Sequence, residues 1–183
     1  MKRLLAIMLC AVALIGPARA QMSLLQSPEI LAAVNAGDLD ATHRLLLQRV
    51  NPNVVNNDGF SPLMLAARKD DAEMVDLLLK NGASPHQQDR QGNTALIWAA
   101  IEGRAAAIPM LLSGRARVNQ ENKQGVTPLM AAARAGQLES VRLLLAAGAD
   151  MRLQDYTGRT ALGWAQEARR RDVVAALIKA GAN

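Results

Sequence analysis

The stretch Gly125-Val126-Thr127-Pro128-Leu129-Met130-Ala131-Ala132-Ala133 decides how this chain folds, because the sequence repeats its pattern three more times in register. Gly59-Phe60-Ser61-Pro62-Leu63, Gly92-Asn93-Thr94-Ala95-Leu96 and Gly158-Arg159-Thr160-Ala161-Leu162 carry the same signature. The glycines fall at 59, 92, 125 and 158, a constant step of 33 residues without insertion. Asn56, Asp89, Asn122 and Asp155 each stand three residues before their glycine, and Leu78-Leu79, Leu111-Leu112, Leu144-Leu145 and Leu177-Ile178 recur in phase. A period of this size marks stacked supersecondary units, each of which buries its apolar face on the next.

Each unit reads as a turn and two short helices. Asn or Asp followed by Gly makes a tight turn. Ser or Thr then caps a helix that opens with Pro or Ala. That helix is Ala-rich, as in Pro62-Leu63-Met64-Leu65-Ala66-Ala67, so neighbouring units can approach closely. A second helix buries Val75, Leu78 and Leu79 in one unit and Val141, Leu144 and Leu145 in another, and Gly82, Gly148 and Gly181 end it. Helices this short are marginal in isolation, so stacking must hold them. Apolar residues make up 50% of the chain but aromatics only 2%, which suits thin helices packed tightly rather than a sandwich or barrel.

From Gly125 through Leu144-Leu145-Ala146-Ala147-Gly148-Ala149-Asp150 the units resemble ankyrin repeats, over roughly residues 27–183. The resemblance implies an all-α solenoid of helix-turn-helix pairs joined by β-turn tips. The units fall near 56–88, 89–121, 122–154 and 155–183, with a degenerate cap at about 23–55 that aligns through Ala33, Gly37, Leu45, Leu46 and Pro52. Three departures stand out. The family's His after Thr-Pro-Leu is replaced by Met64, Ile97, Met130 and Gly163. Pro109 falls inside a second helix, where it is expected to kink the helix, and Gly114 comes one residue early, with Arg115 in the usual glycine slot. Arg169-Arg170-Arg171 replaces the inter-helix glycine of the closing unit.

Residues 1–20 read as an export signal and 21–183 as the repeat domain. Lys2 and Arg3 precede the 12-residue apolar run Leu4–Ile15, and Ala18-Arg19-Ala20 gives a small-x-small cleavage pattern before Gln21. The run is short for an uncleaved membrane anchor, and the bulky Leu9 before Cys10 does not fit lipoprotein processing. Cleavage would leave no stable membrane span and an exported protein, most simply periplasmic, with the extracellular space as the other destination. It would also remove Lys2, Arg3 and Arg19, taking Lys+Arg from 21 to 18 against 16 Asp+Glu, so the formal charge drops from +5 to +2. A strong field for nucleic acid is then no longer expected. Cys10 is the single cysteine, so the mature chain would hold none for a disulfide, a metal or a thiol nucleophile.

No catalytic constellation emerges. The two histidines, His43 and His86, lack a Ser, Cys or carboxylate partner at a useful spacing, and Asp70-Asp71 reads as a helix-capping pair. Phosphate-binding and nucleophile-elbow motifs are missing, no cofactor is implied, and an envelope enzyme acting on a small molecule or peptidoglycan stays the weaker alternative. Trp98 and Trp164 share a phase of the first helices and read as packing between units rather than as a ligand cage. The resemblance implies a monomeric scaffold for a protein partner, which turn tips and first-helix exits would meet on a concave face. The expected partner-binding residues are Phe60, Arg68, Lys69, Arg90, Asn93, Ile101, Glu102, Lys123, Arg134, Tyr156 and Arg159. Phe60 and Tyr156, the one Phe and one Tyr of the chain, are expected at exposed tips, and the basic excess of the set suits a partner with an acidic rim.

Overall fold

The computed structural model describes residues 29–182, so the expected export signal lies outside the described residues. Among them the fold is all-helical. The helices are α1 (29–36), α2 (Leu39–Leu47), α3 (Pro62–Arg68), α4 (Ala72–Lys80), α5 (Ala95–Glu102), α6 (Ala107–Ser113), α7 (Pro128–Ala135), α8 (Leu138–Ala146), α9 (Ala161–Glu167) and α10 (Arg171–Lys179). They pair as antiparallel units and stack in two layers. The first helices α3, α5, α7 and α9 pack in sequence on one another, and the second helices α4, α6, α8 and α10 do the same behind them. This is the helical solenoid that the 33-residue period implied.

Capping chemistry starts the first helices. The hydroxyls of Ser61, Thr94, Thr127 and Thr160 accept from the amides of Met64, Ile97, Met130 and Gly163 at 3.2–3.3 Å, which satisfies a donor that has no partner within the helix. The side chains that replace the family's histidine are then free to be apolar. Met64 and Ile97 are fully buried, and so in effect is Met130. The core is one continuous seam running through both layers, from Ile30 and Val34 to Val173 and Leu177, with Ala66, Ala67, Ala99, Ala100, Ala132 and Ala133 at the close contacts. Each fully buried Leu, Ile or Met adds about 1.5–3 kcal/mol of burial, and these stack-wide contacts hold together helices that are marginal alone.

A single side chain folds each tip. Asn56 Oδ1 accepts from the amides of Asp58 and Phe60, both at 2.9 Å. Asp89, Asn122 and Asp155 repeat this with Gln91 and Asn93, Gln124 and Val126, and Thr157 and Arg159. A backbone bond from Gly59, Gly92, Gly125 or Gly158 back to that residue closes the turn. The tips touch directly. Lys123 N donates to Gln91 O and Tyr156 N to Gln124 O, both at 3.1 Å. Gly92, at φ +84, has no room for a side chain, because a Cβ would stand 2.6 Å from Lys123 N.

The third unit departs from the expected kink. The second helices α2, α4, α8 and α10 begin at 39, 72, 138 and 171, which predicts a start at 105, yet α6 begins at 107. Ile108 N still reaches Arg104 O at 3.2 Å, but Pro109 offers no N–H to the next carbonyl. Pro109 therefore trims the helix at its first turn, and α6 continues through it without interruption. The exposed start is capped from another unit: Asp70 Oδ1 accepts from the amides of Ala106 and Ala107 at 3.0 and 2.9 Å. Of the expected capping pair, Asp71 caps its own helix through Met74 N, while Asp70 serves the next. Arg115 adopts the left-handed conformation, φ 66, of the glycine slot. Gly114 answers to packing instead, since a Cβ there would lie 2.6 Å from a methyl of Leu79 on α4.

Candidate partner-binding surface

The tips and the first-helix exits lie along one side of the stack, and the structure sorts the expected binding residues there into three groups. Arg90, Lys123 and Tyr156 occupy the same rung of three successive tips and are exposed, Tyr156 at 74%. Lys69 and Arg134 are exposed at the exits of α3 and α7. Phe60, Arg68, Ile101, Glu102 and Arg159 are half-buried, and Asn93 is buried.

Two of these positions correct the sequence reading. Phe60 is not an exposed anchor. Its ring lies 5.3 Å from that of Trp98, and the Arg68 guanidinium sits 5.1 Å from the Phe60 ring centroid and 4.7 Å from that of Trp98. Asn93 is buried rather than exposed at the tip, and its Oδ1 accepts from Asn122 Nδ2 at 2.9 Å, which ties one tip to the next. The sequence pattern marked both as tip residues. It could not show that the tip's inner flank faces the neighbouring unit.

Internal partners also absorb part of the expected basic charge. Arg68 pairs with Glu102 at 3.4 Å, and Arg104 meets the other oxygen of the same carboxylate at 3.3 Å. Arg159 pairs with Glu167 at 2.6 Å, and its guanidinium lies 4.8 Å from the Trp164 ring centroid. Lys69 donates its ammonium to Asn35 O. Lys123 donates to Arg90 O at 2.9 Å. Among the described residues, Arg90, Lys123 and Arg134 have no carboxylate within ion-pair distance. The Arg134 guanidinium lies 5.1 Å from the Trp164 ring centroid.

Both tryptophans are held from the side. Trp98 Nε1 donates to Asp89 Oδ2 at 2.8 Å, and Trp164 Nε1 donates to Asp155 Oδ2 at 2.9 Å. Each ring lies over the first-helix exit of the preceding unit, so they pack between units as expected. Burial pushes the Asp155 carboxyl up, but hydrogen bonds from the Thr157 hydroxyl, the Arg159 and Thr157 amides and the Trp164 indole outweigh it. They hold Asp155 below the ordinary carboxylate value.

The sequence reading missed the role of Arg104, Arg170 and Glu167 at this face. Their signal lies in a step of two units rather than one. Arg68, Trp98 and Arg104 recur 66 residues later as Arg134, Trp164 and Arg170.

Among the described residues no group of His, Cys, Asp or Glu side chains is arranged to hold a metal ion, and no helix is long and apolar enough to cross a membrane. A comparison with curated proteins finds no match. The family model for ankyrin repeats (3 copies) matches residues 30–122 and 110–183, which together take in most of the chain and every helix pair described. Ankyrin repeats are typically non-catalytic modules for protein–protein interaction, and the tip geometry, paired helices and unbroken stacking are theirs. The chain belongs to the ankyrin-repeat family.

Proposed function

We propose that this chain is an exported scaffold that binds one protein of the cell envelope, and that it inhibits, chaperones or tethers that protein. The observation that carries the binding surface is the row of Arg90, Lys123 and Tyr156, exposed at one rung of adjoining tips. Backbone bonds between tips fix their spacing, so the row is preorganised and little ordering entropy opposes binding. Tyr and Arg are the side chains that most often dominate interface energetics. Export rests on the Lys2-Arg3, Leu4–Ile15 and Ala18-Arg19-Ala20 pattern, with the periplasm as destination.

Crosslinked capture from an envelope extract, followed by mass spectrometry, tests the reading when it is run beside an Arg90→Ala, Lys123→Ala, Tyr156→Ala triple variant. A single dominant protein captured by the wild type and lost from the variant is expected. Equal capture by both would overturn the tip surface. Intact mass of the exported protein tests localisation, with an N-terminus at Gln21 expected.

A further inference from the structure

We infer that Arg134 and Arg170, beside Trp164, form a socket for an acidic side chain of the protein partner. This rests on the scaffold reading above and names the chemistry of its contact. The chain carries its own template for the socket two units earlier. There Glu102 bridges two guanidiniums, Arg68 at 3.4 Å and Arg104 at 3.3 Å, with Arg68 lying 4.7 Å from the Trp98 ring centroid. Sixty-six residues on, the two arginines and the tryptophan return as Arg134, Arg170 and Trp164. The carboxylate does not, because Ala168 stands where Glu102 stood.

The geometry of the second cluster keeps its arginines in place without that carboxylate. Arg134 lies 5.1 Å from the Trp164 ring centroid, and Arg170 Nε donates to Arg134 O at 3.2 Å, so the two side chains start from adjoining points. The nearest acid in the sequence, Glu167, is engaged by Arg159 at 2.6 Å. Neither Arg134 nor Arg170 forms an ion pair among the described residues, and both are exposed, so the socket is open to a partner. A carboxylate between two guanidiniums, one resting on an indole, makes charge-assisted hydrogen bonds of the stronger kind. A Glu or Asp of the partner would take the place that Glu102 takes inside the chain.

The test is to fill the socket from within. Binding of a fluorescein-labelled hexaglutamate peptide to the full chain is read by fluorescence anisotropy, with circular dichroism to verify folding. Ala168→Glu restores the missing carboxylate and should weaken peptide binding about tenfold, the size of one charge-assisted contact. Arg134→Ala and Arg170→Ala should each weaken it comparably, and Arg142→Ala on α8 should leave it unchanged.

Three results would overturn the socket: no peptide binding by the wild type, equal weakening by Arg142→Ala, or full binding by a folded Ala168→Glu variant. Binding of a short polyphosphate in place of the peptide would overturn it in favour of a phosphate-bearing ligand. Loss of partner capture in the tip variant, alongside unchanged capture by Ala168→Glu, would leave the scaffold reading standing and remove the socket alone.

Discussion

Trp98 donates its indole N–H to Asp89 Oδ2 at 2.8 Å, while the other oxygen of the same carboxylate folds the tip. The division of labour explains an alternation along the chain. Tips built on Asp, at 89 and 155, lie nine residues before Trp98 and Trp164, whereas tips built on Asn, at 56 and 122, lie nine before Leu65 and Ala131. An amide can fold the turn with its oxygen, but its nitrogen is a donor and cannot receive an indole N–H. Asp89→Asn should therefore keep the turn and orphan the indole, at a cost of about 1–2 kcal/mol. Urea unfolding gives the loss, and the Trp98 indole proton should shift in the NMR spectrum. An unchanged midpoint and shift would disprove the dual role.

Asp155 gives the same arrangement a pH dependence. Its folded carboxyl titrates below the ordinary value of 3.8, because hydrogen bonds to the charged form outweigh burial. A depressed folded value means stability that is fully present above the unfolded value and is lost as pH falls from there through the folded value. Thermal melts across the acid range should show a steeper loss below about pH 4 for wild type than for Asp155→Asn, which has no proton to gain. Parallel curves would remove Asp155 from the acid response.

Homologous positions should answer differently to glycine. Asp70 and Arg169 both occupy left-handed backbone, at φ 60 and 56, in the slot held by Gly103 and Gly136 in the intervening units. Glycine relieves about 1 kcal/mol of strain at such a site. Arg169 donates no side-chain hydrogen bond among the described residues, so Arg169→Gly should raise stability by about that amount. Asp70 caps α6 through Ala106 and Ala107, so Asp70→Gly should cancel the relief by losing a cap of about 1–2 kcal/mol. Chemical denaturation of the two variants decides it: stabilisation by both would mean that the Asp70 cap contributes nothing.

The fold was legible because the 33-residue step writes the first-helix caps, the turn glycines and the core leucines at a fixed phase in four units, so one unit's chemistry explains the others. Apart from the packing of Trp98 and Trp164, what escaped was the pairing carried between units. The Phe60–Trp98 contact, the Asn93–Asn122 bond, the Arg68–Glu102 pair and the Asp70 cap each join residues about one unit apart, and no local pattern reports such a pairing. Pro109 illustrates the same limit. Its presence in the second-helix segment was plain, but whether it breaks the interior or trims the start depends on where the first turn begins. A cap from the preceding unit helps to define that point.

Ser140 is a position in the core where the stack works against itself. It lies on α8 in the core, 1% exposed, and its hydroxyl has no hydrogen-bond partner among the described residues. The same phase holds Met74, Ala107 and Val173 in the neighbouring units, all buried and all apolar. An unpaired buried hydroxyl costs about 1–3 kcal/mol, and Ser is also the poorer helix former. Ser140→Ala removes the hydroxyl, leaves the methylene carbon in place and opens no cavity larger than one oxygen atom. The variant should be more stable by about 1 kcal/mol, which for a chain of this size raises Tm by about 2–4 °C. Calorimetry reads the shift directly. A lowered Tm would mean that the hydroxyl is satisfied in solution, by a bound water or by the α8 backbone, and that the core at this layer is polar by design.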